Sequence, residues 1–273
     1  MQDLRVAAAV CRCLPGNLAH NLATMERLCR RAADRGAQFV CFPELNLTGY
    51  ALGADLSQTP VADTDPVIGR VQRMARDCNL VILAGLAVCS ADGRIHAEHR
   101  VFGADGESAV YRKLHAAPPE EGILAPGNTI PVFDACGARF GIQLCYDAHF
   151  PELSTCMALA GAEVLFVPHA SPRLTPRAKL TSWLRHLPAR AFDNALFVVA
   201  CNQTGVGGSG LTFPGLAVVL GPDGRVLAKR AAMTEGLLVA DLKAEYIDTV
   251  RRHRMRYFLP RRRPELYRPV CRC

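Results

Sequence analysis

Short apolar runs alternate along the chain with stretches of helical period. LRVAAAV, near the start, leads into a stretch from about Asn17 to Arg35 in which Leu22, Met25, Cys29 and Ala32 recur at spacings of three and four. They form one apolar stripe, with Gly36 as the stop signal, so an amphipathic helix that packs on a sheet is expected. QFVCF, a helical pattern from Val67 to Cys78 and the run LVILAGLAV repeat the rhythm of an α/β layered fold. Between Ala87 and Arg112 the turn signals ADGR and GADGES separate strand-like segments, which adds antiparallel hairpins and predicts mixed sheets. ARFGIQLC, a helix near Pro151 to Ala160, EVLFVP, one helix from Pro176 to Asp193 and LFVVACN resume the alternation. GLAVVLGPDGRVLAKR reads as a hairpin across its PDG turn, followed by the strand GLLVADL and a helix from about Lys243. No linker or internal repeat marks a boundary, so residues 1–273 are expected to form a single domain.

Composition narrows the class. Half of the 273 residues are hydrophobic and 21% are charged, as in ordinary globular proteins. No apolar run approaches the roughly 18 residues of a membrane span, and VAAAVC is too short for a signal-peptide core, so no membrane contact is expected and the cytoplasm is the expected compartment. Twelve cysteines without a secretory signal should stay reduced. Cys41, Cys89 and Cys201 lie in apolar runs and are expected in the core, where a thiol behaves as a small hydrophobe. Cys11-Arg-Cys13 and Cys271-Arg-Cys273 are spaced more tightly than structural zinc pairs, so no metal is expected, and no cofactor either. Much of the net charge of +7 lies between Arg251 and Arg268, interrupted by Pro, Leu and Tyr. That spacing suits a subunit contact or a solvated surface better than a nucleic-acid face.

Three segments place a reactive side chain just beyond an apolar strand. Glu44 follows FVCFP in FPELNLTGY and is the candidate base. Lys113, in YRKLH, ends a predicted strand before a Pro-rich loop and is the candidate cation. Cys145 closes GIQLC, with a helix starting soon after at Pro151; such an elbow exposes a nucleophile and offers backbone N–H groups to a developing oxyanion. Each alone has a plain alternative: a surface acid, a solvated lysine, an inert buried thiol. The Asn46-Leu-Thr48 glycosylation pattern carries no weight without secretion. Gly205-Val-Gly-Gly-Ser-Gly210 satisfies GxGxxG, but LTFPGLAVVL after it reads as loop and strand where a dinucleotide site needs a helix start. No GxSxG elbow is present for a serine triad.

In this order and with these flanks, FPELNLTGY, YRKLH and LCYDAHFPEL resemble the Glu, Lys and Cys segments of the nitrilase-type carbon-nitrogen hydrolase family. Trp183, Ala189-Arg-Ala-Phe-Asp-Asn194, Cys201-Asn-Gln-Thr-Gly205 and RRPELY extend the resemblance over nearly the whole chain. It implies a four-layer αββα sandwich with mixed sheets that pairs as a homodimer, with residues 251–273 at the subunit contact. It further implies Cys145 as nucleophile and Glu44 as proton carrier. Lys113 and the Tyr146 backbone N–H would hold the oxyanion, and Glu120 would be a second glutamate that positions Lys113, with Glu121 as the competing assignment. His115 would support the lysine loop. Tyr50, His149 and the segment from Pro168 to Leu174, including His169 and Ser171, would contact substrate, and Arg173 or Arg177 could receive a substrate carboxylate. The expected substrate is a small linear amide, then an N-carbamoyl amine, then a nitrile; from a different class, a non-catalytic binding protein of the same fold stands as the alternative.

Overall fold

The computed structural model describes residues 1–173 and 175–267; Leu174, Arg268 and the Cys271-Arg-Cys273 pair lie outside the described residues. The chain opens with β1 (Leu4–Val10), α1 (Leu18–Ala33), β2 (Phe39–Cys41), the single turn α2 (Ala54–Ser57), β3 (Val61–Ala62) and α3 (Pro66–Cys78). A meander follows: β4 (Val81–Cys89), β5 (Ile95–Phe102) and β6 (Ser108–Arg112). The second half begins with β7 (Phe133–Ala135), β8 (Ala138–Ile142), α4 (Pro151–Leu159) and β9 (Val164–His169). Then come α5 (Pro176–Trp183), α6 (Leu187–Asn194), β10 (Phe197–Asn202), β11 (Thr204–Val206) and β12 (Thr212–Pro214). β13 (Leu216–Leu220), β14 (Val226–Ala231), β15 (Gly236–Leu242) and α7 (Ala244–Arg252) complete it.

Two sheets result. One runs β15-β1-β2-β4-β5-β6 with β3 beside β4; the other runs β14-β13-β10-β9-β8-β7. In each, three parallel strands (β1, β2, β4; β8, β9, β10) are flanked by antiparallel ones, so both sheets are mixed. The alternation of side chains along a strand builds the layers. In β1, Val6, Ala8 and Val10 join the core shared with the second sheet, while Ala7 and Ala9 join the one under α1 and α3. Leu83 and Ala87 in β4 divide in the same way from Ile82, Ala84 and Leu86. Strands buried on both faces read as unbroken apolar runs, which is why LVILAGLAV shows no polar alternation. With α4, α5 and α6 on the outer face of the second sheet, the architecture is the four-layer αββα sandwich.

Local signals act as expected at most element ends. Asn17 accepts a hydrogen bond from the His20 N–H (3.1 Å) to cap α1. At the other end Gly36, at φ +69, lets the Ala37 N–H reach back to Ala32 O (3.0 Å). The expected single helix from Pro176 to Asp193 is instead two, broken at residues 184–186. Pro188 lacks an N–H and crowds the residue before it, so it is tolerated only in a first turn; a new helix therefore starts at Leu187. Cys89 is exposed rather than in the core, because it ends β4 where the strand leaves the sheet; Cys41 and Cys201 are buried. The GVGGSG stretch forms the turn between β11 and β12, and no helix starts there. No described helix is long and apolar enough to cross a membrane. Among the described residues no group of three or more His, Cys, Asp or Glu side chains is placed to hold a metal ion.

Candidate active site

β2 ends after three residues while its neighbour β4 runs on, and the segment after β2 takes over the pairing. The Leu47 N–H donates to Gly85 O (2.9 Å), Asn46 Oδ1 accepts from the Gly85 N–H (2.8 Å) and Thr48 Oγ1 from the Ala87 N–H (3.0 Å). Buried strand amides need partners, and the buried Asn46 and Thr48 supply them, which also removes Asn46 from any surface glycosylation role. This close approach requires glycine at 85: a Cβ there would stand 2.4 Å from Leu45 N and 3.2 Å from the Glu44 carbonyl carbon. Glu44 is thereby pressed into the interior, only 1% exposed.

Lys113 follows β6, its N–H donating to Ala97 O (2.9 Å) and its carbonyl accepting from the Gly127 N–H (2.7 Å). Its ammonium is buried and donates to Glu44 Oε1 (2.7 Å), Glu120 Oε1 (2.9 Å) and Glu120 Oε2 (2.7 Å). Glu120 turns inward from a 3-10 turn begun by Pro118 and Pro119, and its Oε2 also accepts from the Ala117 N–H (2.8 Å); Glu121 is exposed. Burial would lower the Lys113 pKa, yet the charges of Glu44 and Glu120 outweigh it and hold the group well above the usual lysine range. Burial pushes the Glu44 carboxyl up, with Lys113 opposing and Glu120 adding to the rise.

Cys145 opens a 3-10 turn, Cys145–His149, directly after β8. Its φ of +47 lies in the left-handed region, which a residue with a Cβ adopts only under strain; the strain turns the half-buried thiol out of the sheet. Among the described residues the Tyr146 N–H that follows has no backbone hydrogen-bond acceptor outside its own turn. Burial raises the Cys145 pKa, Glu44 raises it further, and Lys113 pulls the other way. At the end of β9 the Ala170 N–H donates to Glu44 Oε2 (3.0 Å), so the second sheet holds this carboxylate in place.

The turn is held by a residue that sequence reasoning passed over. Asp147, fully buried, accepts from the Tyr111 hydroxyl (2.7 Å), the Leu144 N–H (3.0 Å), the His115 N–H (2.9 Å) and pairs with His115 Nδ1 (2.8 Å). It thus locks the Cys145 turn to β6 and to the Lys113 loop. His115, whose ring also stacks on Phe150 at 3.7 Å, is the support expected of it. An acid inside the apolar elbow LCYDAHF was the available signal.

Glu44, Lys113 and Cys145 each follow a strand end, and Glu120 joins them from its 3-10 turn. The family model for carbon-nitrogen hydrolases matches residues 5–252. The chain belongs to the carbon-nitrogen hydrolase family. It is 30% identical over 238 residues to an (R)-stereoselective amidase from a Pseudomonas species, covering 87% of this chain and 84% of the relative. It is 31% identical to the N-carbamoylputrescine amidase of Solanum tuberosum, over 92% of this chain and 90% of that one. The solved structure of an amidase from Nesterenkonia sp. superposes with a TM-score of 0.85 at 30% identity, over 98% of this chain and 96% of the other. The chain is an enzyme that acts on amide carbon-nitrogen bonds.

The remaining expected site residues of this hydrolase divide. The Tyr50 hydroxyl donates to Glu120 Oε1 (3.1 Å), so it braces the second glutamate. His149 is exposed at the rim, its ring 4.5 Å from that of His186. His169 is buried and stacked on Trp183 at 4.2 Å, with neither ring nitrogen partnered; burial drives its pKa well below the usual value. Ser171 accepts from Lys179 Nζ (2.8 Å) and is clamped by Asn202, which accepts from the Ser171 N–H (2.9 Å) and donates to its carbonyl (2.9 Å). Arg173 and Arg177 are exposed. Gln203, also unforeseen, donates to the Glu44 carbonyl (2.9 Å) and fixes the base from the second sheet.

Proposed function

We propose that the hydrolase cleaves small linear amides at a centre of Glu44, Lys113 and Cys145, releasing ammonia and a carboxylic acid through a thioester. The observation that carries this reading is the buried cluster in which the Lys113 ammonium holds Glu44 and Glu120, whose charges act on the Cys145 thiol. Because burial raises the thiol pKa, the resting pair is a thiol beside a carboxylate. Glu44 takes the proton as sulfur bonds to the amide carbon, since the thiolate is the effective nucleophile. The oxyanion forms beside the Lys113 ammonium and the Tyr146 N–H, which together stabilise it. Collapse breaks the C–N bond, and Glu44 hands its proton to the leaving ammonia. Glu44 then takes a proton from water, whose oxygen attacks the thioester; the acid leaves and the Cys145 thiol is restored. Glu120, braced by Tyr50 and Ala117, holds Lys113 in place throughout.

Both sheets contribute to the centre, Glu44 and Lys113 from the first and Cys145 and Ala170 from the second, which supports residues 1–273 working as one domain. A nucleophile that must stay a thiol supports the cytoplasm as its compartment, which cell fractionation would check. Exposed Phe192, Met255, Phe258 and Leu266 around the C-terminal segment support a homodimer contact there, and gel filtration should return twice the chain mass.

The test is a panel of linear amides, N-carbamoyl amines and nitriles, with ammonia measured and the intact mass of the protein followed during turnover. Ammonia from the amides and an acyl adduct on Cys145 are expected. Carbon dioxide released with ammonia would select the N-carbamoyl branch, to which the similarity with N-carbamoylputrescine amidases also points. No ammonia from any member would sink the reading in favour of a non-catalytic role.

A further inference from the structure

Lys179 is a buried ammonium, 6% exposed, with no acidic partner among the described residues. Its contacts are neutral: Ser171 Oγ at 2.8 Å and the Pro172 carbonyl at 3.0 Å. An ammonium has three donors, so one N–H is left unspent in a site where an unpaired charge is costly. Burial accordingly lowers its pKa, and a Cys145 thiolate would act in the opposite direction. Ser171 is the residue next to Ala170, whose N–H binds Glu44, so Lys179 lies at the wall of the centre.

The chain around it is one-signed. From Val164 to Phe192 there is no aspartate or glutamate, while Arg173, Arg177, Lys179, Arg185 and Arg190 all occur. Arg190 is already spent on the Ala148 and His149 carbonyls (2.9 and 3.2 Å), and Arg173, Arg177 and Arg185 are exposed. Lys179 is therefore the cation of this stretch that combines burial with an unspent donor one residue from the amide that holds Glu44.

We infer that Lys179 receives an anionic group of the substrate, so that the enzyme prefers linear amides bearing a carboxylate, such as half-amides of short dicarboxylic acids. This rests on the amide-hydrolase reading above. The carboxylate would take the third N–H of Lys179, with the exposed arginines drawing the anion toward the mouth. A substrate with an ammonium in the same place would meet Lys179 and be disfavoured.

The experiment compares kcat/KM for three amides of matched length with a carboxylate, a neutral or an ammonium terminus, in the parent and in Lys179→Met. The parent should favour the carboxylate form over the neutral one by about tenfold or more, and the variant should lose at least about that factor from the ratio, mainly through KM. A merely structural lysine would lower both substrates alike and leave the ratio unchanged, which would overturn the inference. Should the variant not fold, the parent alone decides: short dicarboxylates should inhibit competitively at least about tenfold better than their neutral diesters, and equal inhibition would overturn the inference. If neutral amides release ammonia with no carboxylate preference, this inference alone fails; if no amide releases ammonia, the amide-hydrolase reading fails with it.

Discussion

Cys145→Ala is expected to keep the fold and lose amide turnover by on the order of 10⁴-fold or more, about 5.5 kcal/mol of transition-state stabilisation. The fold should survive because the thiol is half-buried and alanine meets the same left-handed strain at this position as cysteine does. Turnover should not survive, since the Cys145 thiol is the one on which the Glu44 and Lys113 charges both act in the proposed mechanism. Cys145→Ser should be nearly as inactive: a hydroxyl is harder to ionise than a thiol, and Glu44 is a weak base for it. Ammonia release and a thermal melt of the same samples are the measurements. Residual activity within tenfold of the parent would remove Cys145 from the mechanism.

Lys113→Met should cost both activity and stability. Losing one oxyanion donor takes away about 3 to 4 kcal/mol of catalysis. Breaking a buried ion cluster by removing its cation costs about 3 to 5 kcal/mol of stability, because Glu44 and Glu120 are left facing each other without a counter-charge. The stability loss should depend on pH in a definite direction. Lys113 holds the Glu44 pKa down against burial and Glu120, so removing it raises that pKa further. A group whose folded-state pKa is raised gives stability that is fully present below its unfolded pKa and lost as pH rises through the folded one. The deficit of Lys113→Met relative to the parent should therefore be largest near neutral pH and shrink by about pH 5. Melting curves at both pH values check this, and a deficit that grows on acidification would contradict the placement of Lys113 between the two carboxylates.

Glu44, Lys113 and Cys145 were legible because each follows an apolar strand and because their flanks agree with a known family. Glu120 was legible only as one of two adjacent acids. The 3-10 turn from Pro118 turns one side chain inward and the next outward, a difference that neighbouring glutamates do not carry in their own chemistry. The break before α6 was readable from Pro188 and was missed because the apolar period runs through it. Gln203 and Lys179 stayed hidden for another reason: their partners lie across the two sheets or across a loop, at sequence separations that no local pattern reports.

By itself, then, the sequence determined the layered α/β architecture, through apolar runs that must be buried on both faces, and the positions of Glu44, Lys113 and Cys145 just beyond the strands that precede them. Only the tertiary structure decided that the Ala170 N–H binds Glu44, that Asp147 locks the turn that carries Cys145 and that Lys179 is buried without a counter-charge among the described residues. Hydrogen bonds and burial depend on what the other sheet places within about 3 Å, and that distance exists only once the two sheets have packed.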